Sequence, residues 1–214
     1  MDRLDSDAAS PRLAVWALQC RRGERTLFSG VDFSLRRGEI VWLRGANGQG
    51  KTTLLRTLAG LSAPETGSVV WAETKARPPF LFLAHANALK DDLTTSESLR
   101  FLMRMAGHEP SRDELDAALA RFGMASRRNA PVRTLSQGQR RRVALARLAI
   151  EREPATWLLD EPFDALDAAG IDTLNGVLVG HAKRGGSIVL TSHVPLAIHD
   201  PAPVVVMLES PVTA

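Results

Sequence analysis

Apolar and polar residues alternate along Leu13 to Leu18 and again along Val31 to Leu35, a period of two that predicts strands opening a sheet. Glu39 to Arg44 (EIVWLR) is a compact β-rich run behind the turn at Arg37-Gly38. A glycine-rich loop follows, then a helix from Lys51 to Ala59 that Gly60 is placed to end. Gly67 to Trp71 and Phe80 to Ala84 read as further strands, and Pro78-Pro79 marks a loop between them.

The period then changes. Thr94-Thr95-Ser96-Glu97 fits a capping box, and Leu99, Leu102, Met103 and Ala106 follow at helical spacing up to Gly107. Ser111-Arg112-Asp113-Glu114 repeats the device ahead of Leu115, Ala118, Leu119 and Phe122. A third helix is expected from Ser136 to Ile150, so that residues 89–152 read as a helical insertion. Beyond Pro154 the pattern runs strand (Thr156 to Leu159), helix (Asp167 to His181), strand (Ser187 to Thr191) and strand (Val204 to Leu208). An α/β core interrupted by helices is the economical architecture, one domain over residues 11–214 behind a short frayed tail at 1–10.

Composition narrows the picture without deciding it. The chain has 214 residues, 44% hydrophobic and 24% charged, the proportions of an ordinary globular protein, which argues against disorder or a disulfide scaffold. Cys20 is the single cysteine and has no internal partner to bridge, which favours a reducing compartment. The first eleven residues carry three acids and no apolar core, unlike a secretory signal, and the longest apolar runs are strand-sized. A net charge of +3 is too small to argue for nucleic acid. The basic residues are 23 Arg against 4 Lys, so each lysine is informative where it stands.

One lysine stands in GANGQGKT, Gly45 to Thr52, between a predicted strand and a predicted helix. Gly45, Ala46, Asn47, Gly48, Gln49 and Gly50 form a loop whose backbone N–H groups can curl around phosphate oxygens. Lys51 supplies charge to the terminal phosphates, Thr52 a hydroxyl for Mg²⁺, and Thr53 extends the helix start. TWLLDE, Thr156 to Glu161, is an apolar strand ending in two acids. There Asp160 can serve Mg²⁺ and Glu161 can polarise a water beside the last phosphate. LSQGQ, Leu135 to Gln139, precedes the third helix; it is either a second phosphate-binding helix start or a plain N-cap at Ser136.

Taken in order, GANGQGKT, LSQGQ, TWLLDE, DALD (Asp164 to Asp167) and TSH (Thr191 to His193) resemble the ATP-binding-cassette nucleotide-binding domains, over about Leu13 to Glu209. The resemblance implies a P-loop NTPase core with a mixed sheet and an inserted helical subdomain, binding ATP with Mg²⁺. It implies that two such domains face head to tail, so that Ser136, Gly138 and Gln139 of one close on ATP held by Lys51 of the other. By position Thr52 and Asp160 would serve the metal, Glu161 would be the general base, His193 would contact the γ-phosphate and Asp167 would communicate across the dimer. A narrower likeness, in ERTLFSGVDFSLRRGEI, LSQGQRRRVALARL and TSHVPL, is to ATP-binding subunits of bacterial haem exporters of cytochrome c maturation. It implies integral membrane partner subunits, a second copy of this chain, peripheral attachment on the cytoplasmic side of the inner membrane, and neither nucleic acid nor direct haem binding. Other cargoes (lipoprotein, drug or lipid) and a soluble, non-transport cassette protein are the alternatives.

Two positions depart from the usual pattern. Arg22 stands near where many cassette domains stack an aromatic ring on adenine; it either stacks by its guanidinium or is solvated. His85 stands where many carry glutamine; it either faces the nucleotide or is a buried structural histidine, with Asn87 the other candidate for a metal-side contact. His108, His181 and His199 read as inert residues at helix ends or turns. Arg140-Arg141-Arg142 reads as the solvated start of a helix, or else as a salt-bridging group for a partner or as support for LSQGQ.

Overall fold

The computed structural model describes residues 11–72, 80–150 and 155–209; the tail at 1–10, Pro78-Pro79 and Pro154 lie outside them. The described chain divides into two compact units, the first holding 11–72, 80–82, 155–161 and 181–209 and the second 83–150 and 162–180.

The first unit carries two sheets. β1 (Leu13–Arg22) pairs antiparallel with β2 (Arg25–Leu35) and with β4 (Thr66–Trp71). The strand read over Leu13 to Leu18 runs on to Arg22, but its burial does not alternate, and a φ of 46° and a register shift mark a bulge at Ala17. Before the bulge Leu13, Ala14 and Val15 are buried in succession and Trp16 is exposed; after it Leu18 and Cys20 are buried. The second sheet has the order β5-β6-β7-β3-β8, from β5 (Phe80–Leu83), β6 (Thr156–Leu159), β7 (Ser187–Thr191), β3 (Ile40–Arg44) and β8 (Val204–Met207). Its pairs β6–β7, β7–β3 and β3–β8 are parallel. Every residue of β6 and β7 is buried, as expected of parallel strands covered on both faces. α1 (Lys51–Leu58) packs Leu54, Leu55 and Leu58 into a core with Phe28, Val41, Leu158 and Val189.

His181 is not inert. Its side chain is buried, and its ring stacks on Trp157 with centroids 3.5 Å apart and planes 9° apart. Nε2 lies 3.0 Å from the Ala155 carbonyl. Burial, against the partial support of that carbonyl, pushes its pKa down to about 4. Gly186 makes the pocket possible, because a Cβ there would run into the imidazole.

In the second unit α2 (Thr95–Met105) and α3 (Arg112–Arg121) start at Thr94 and Ser111, each with a complete capping box closed by Glu97 or Glu114. α4 (Gln137–Ala146) is shorter than the helix read from Ser136 to Ile150, since Arg147–Ala149 tightens into a 3₁₀ turn. Leu99 and Met103 of α2, Leu115 and Leu119 of α3, and Val143 of α4 are fully or almost fully buried where these helices pack together. α5 (Ala168–Lys183) begins in this unit and continues into the first.

Candidate active site

Three parallel strands, β3, β7 and β6, lie side by side in the first unit, and the segments leaving their carboxyl ends carry the chemistry. Open α/β sheets bind ligands at this edge. After β3 comes Gly45 to Gly50, in which Gly50 is the N-cap of α1 with φ +91°. A Cβ at Gly50 would stand 2.9 Å from Leu27 Cβ and 3.0 Å from the Phe28 ring, so the loop reaches α1 only with glycine there. No side chain caps α1 and its first turn holds no acid, which suits its start to an anion. Gln49 Oε1 accepts from the Ala46 N–H and Gln49 N–H donates 3.3 Å to the Ala46 carbonyl, closing the loop on itself. Lys51 is 8% exposed and holds its ammonium against the loop, 2.8 Å from the Gly45 carbonyl.

After β6, Asp160 and Glu161 meet the other two segments. Thr52 Oγ1 donates to Asp160, 3.1 Å from Oδ1 and 2.9 Å from Oδ2. Thr191, at the end of β7, donates its hydroxyl to Asp160 Oδ1 at 3.0 Å and accepts from the Glu161 N–H at 2.8 Å. Sequence reasoning took only the histidine from TSH; the signal for Thr191 was a hydroxyl at the end of an otherwise apolar strand. Glu161 is 9% exposed with φ +46°, a region costly for any residue but glycine. Its Oε2 accepts from the His193 N–H at 3.0 Å, and its Oε1 lies 3.2 Å from His193 Nε2, while the imidazole is half-exposed.

Arg22, Asn47, Gly48, Lys51, Glu161 and His193 all border one open cleft of about 290 Å³, with Thr52 and Thr53 on its wall. Of the predicted residues of the first unit, Gly45, Ala46 and Gln49 line a second cavity instead, which shares His193 with this cleft. Thr52 and the Asp160 carboxylate form an oxygen-only donor pair, the chemistry that a hard divalent cation prefers.

The second unit holds the other predicted residues. Ser136 is the exposed N-cap of α4, with its hydroxyl accepting from the Gln139 N–H and Gln139 Oε1 accepting from the Ser136 N–H, a capping box built from a neutral side chain. Gly138 is required for close approach, since a Cβ would stand 2.7 Å from the Ala165 carbonyl. Asp167 accepts from the Gly170 N–H at 2.9 Å and from Arg142, and these contacts, the backbone one first, hold its carboxyl below the usual range. His85 is exposed, not buried, and its Nδ1 lies 3.5 Å from Asp164 Oδ2.

The arginine triplet is not a solvated helix start. Arg140 pairs with Asp91 at 2.7 Å, Arg142 with Asp167, and Arg141 is 2% exposed. Their long side chains turn to different neighbours, which a count of consecutive charges does not reveal. Asn87 Oδ1 accepts from Arg141 at 3.0 Å.

Known proteins share this sequence pattern and fold. The pattern of the family described as ABC transporter matches residues 28–164. The chain is 48% identical over 183 residues to the cytochrome c biogenesis ATP-binding export protein CcmA of Dechloromonas aromatica, covering 82% of this chain and 89% of that one. It is 41% identical over 198 residues to the protein of the same name from Vibrio cholerae, covering 88% and 94%. A solved ATP-binding subunit of an ABC transporter superimposes with a TM-score of 0.78 at 27% identity, covering 92% of this chain and 86% of that one. Among the described residues no helix is long and apolar enough to cross a membrane. The chain belongs to the ABC transporter family, within the group of cytochrome c biogenesis ATP-binding export proteins.

Proposed function

We propose that this chain is the ATP-hydrolysing subunit of the haem exporter of cytochrome c maturation, docked on integral membrane subunits at the cytoplasmic face of the inner membrane. The relatives' names support the export and cytochrome c parts of this reading. The haem cargo rests on the narrower sequence resemblance.

The site supports the chemistry. Lys51 and the start of α1 bind the phosphates of ATP, and Arg22 at the cleft mouth offers a guanidinium face to the base. Thr52 and Asp160 would hold Mg²⁺, which when bound neutralises charge on the phosphate oxygens. Glu161 takes a proton from the attacking water, and His193, against both carboxylate oxygens, keeps the group aimed and adds a donor toward the γ-phosphate. Ser136, Gly138 and Gln139 of a second copy close on the same nucleotide, with Asp167 near that junction. His85 and Asn87 stand in the segment through which a membrane subunit would be sensed.

The observation that carries the reading is the Asp160–Glu161 pair, held by Thr52, Thr191 and His193 beside the phosphate loop. Glu161→Gln tests it. The variant is expected to bind ATP normally and to lose about 10²- to 10⁴-fold in hydrolysis, the usual worth of a general base. Wild-type turnover would refute the assignment.

A further inference from the structure

Arg141 is a buried charge that the proposed chemistry does not use. A guanidinium keeps its proton, so burying it requires its donors to be satisfied. Its Nη1 donates to Asn87 Oδ1 at 3.0 Å, to the Ala84 carbonyl at 3.3 Å and to the His85 carbonyl at 3.4 Å. Its Nε donates to the Pro162 carbonyl at 3.3 Å. One side chain from α4 therefore holds residues 84–87 and also the first residue after Glu161. The pairing of His85 with Asp164 is a second, exposed tie between the same two segments. Arg140 and Arg142 do neither, as they face Asp91 and Asp167.

We infer that Arg141 is a positioning residue, a strut that makes the turn at Glu161–Pro162 follow the 84–87 segment. The inference rests on Glu161 being the general base. Glu161 sits at φ +46°, a backbone state that persists only when neighbours over-determine it. The Thr191 hydroxyl fixes the N–H of Glu161, and Arg141 fixes the carbonyl of the next residue. Loosening the second hold leaves the phosphate loop untouched but lets the carboxylate stray from the attacking water. Turnover should therefore fall while ATP affinity holds.

The test uses the full chain as wild type, Arg141→Met, Arg141→Lys, Asn87→Ala, the Arg141→Lys/Asn87→Ala double variant and, in parallel, Glu161→Gln. Thermal unfolding, ATP affinity, kcat and the Mg²⁺ concentration for half-maximal rate are measured on each. Arg141→Met should lose about tenfold or more in kcat with ATP affinity within about threefold. Arg141→Lys should recover part of that loss, since an ammonium reaches some of the same acceptors. Asn87→Ala should lose about threefold and add little to Arg141→Lys, because both cut one tie. The Mg²⁺ requirement should not move. Should Arg141→Met fail to fold, Arg141→Lys and Asn87→Ala decide. Wild-type kcat in those two, losses that multiply in the double variant, or a raised Mg²⁺ requirement in Asn87→Ala would overturn the inference. Full activity in Glu161→Gln would instead overturn the base assignment; an inactive Glu161→Gln beside a fully active Arg141→Met sinks the strut alone.

Discussion

Four helix starts in this chain meet the same problem of unpaired backbone N–H groups differently. α2 and α3 are capped by Thr94 and Ser111, and Glu97 and Glu114 close their boxes with a carboxylate in the first turn. α1 has glycine at its cap and no acid in its first turn. α4 keeps a complete box but closes it with neutral Gln139, again with no acid in the first turn. A phosphate would meet a negative side chain at α2 and α3 and none at α1 and α4. The contrast separates two helix starts that carry an acid from two, one in each unit, that the proposed function gives to phosphate.

Removing the ligand-facing charge at α1 should have the largest effect. Lys51→Ala is expected to weaken ATP binding by about 10²- to 10³-fold, the scale of a lost charge-assisted contact in a water-poor loop. Titration with a fluorescent ATP analogue reads it, and a loss under fivefold would break the assignment of α1.

Acid should separate the two units next. His181 is buried in the first, and among the described residues the second buries no histidine. Its pKa is lowered to about 4 from an ordinary value of 6.5. The unfolded chain therefore binds the extra proton first as pH falls. The stabilisation is complete above about pH 6.5 and is lost progressively down to about pH 4, on the order of 3 kcal/mol in all. Hydrogen exchange across that range should show β6 and β7 opening before α2 and α3. Equal acid sensitivity in both units would contradict this.

Gln139→Glu sharpens the contrast by giving α4 the acidic box of its neighbours. Stability should stay within about 0.5 kcal/mol while hydrolysis falls about tenfold or more, as a carboxylate meets the incoming phosphate. Unchanged hydrolysis would make α4 an ordinary capped helix. Ser111→Ala gives the smallest effect, about 1 kcal/mol of stability with hydrolysis unchanged, because the α3 cap has no ligand. Chemical denaturation and a steady-state rate on the same sample check it.

Much of this was legible from local pattern. The two Ser/Thr-x-x-Glu boxes and the strands Thr156 to Leu159 and Ser187 to Thr191 match the structure to the residue. The phosphate loop and the two acids after β6 were visible because their chemistry sits in contiguous residues. What escaped depends on contacts distant in sequence. The β1 alternation fails at Leu13–Val15, buried in succession, and the register shifts at the Ala17 bulge. Arg141 is buried only because carbonyls at 84, 85 and 162 surround it, and His181 only because Trp157 and Gly186 make room. A charged residue in a polar run says nothing about such partners.

In the proposed function the starts of α1 and α4, on two copies of the chain, grip one ATP. Sedimentation of Glu161→Gln with and without ATP, beside Glu161→Gln/Ser136→Arg, tests it most directly. Blocked hydrolysis should trap a closed pair, so ATP should double the mass of Glu161→Gln. The second variant should bind ATP equally well and stay single, because its arginine fills the α4 start. Doubling in both variants, or in neither, would contradict the account.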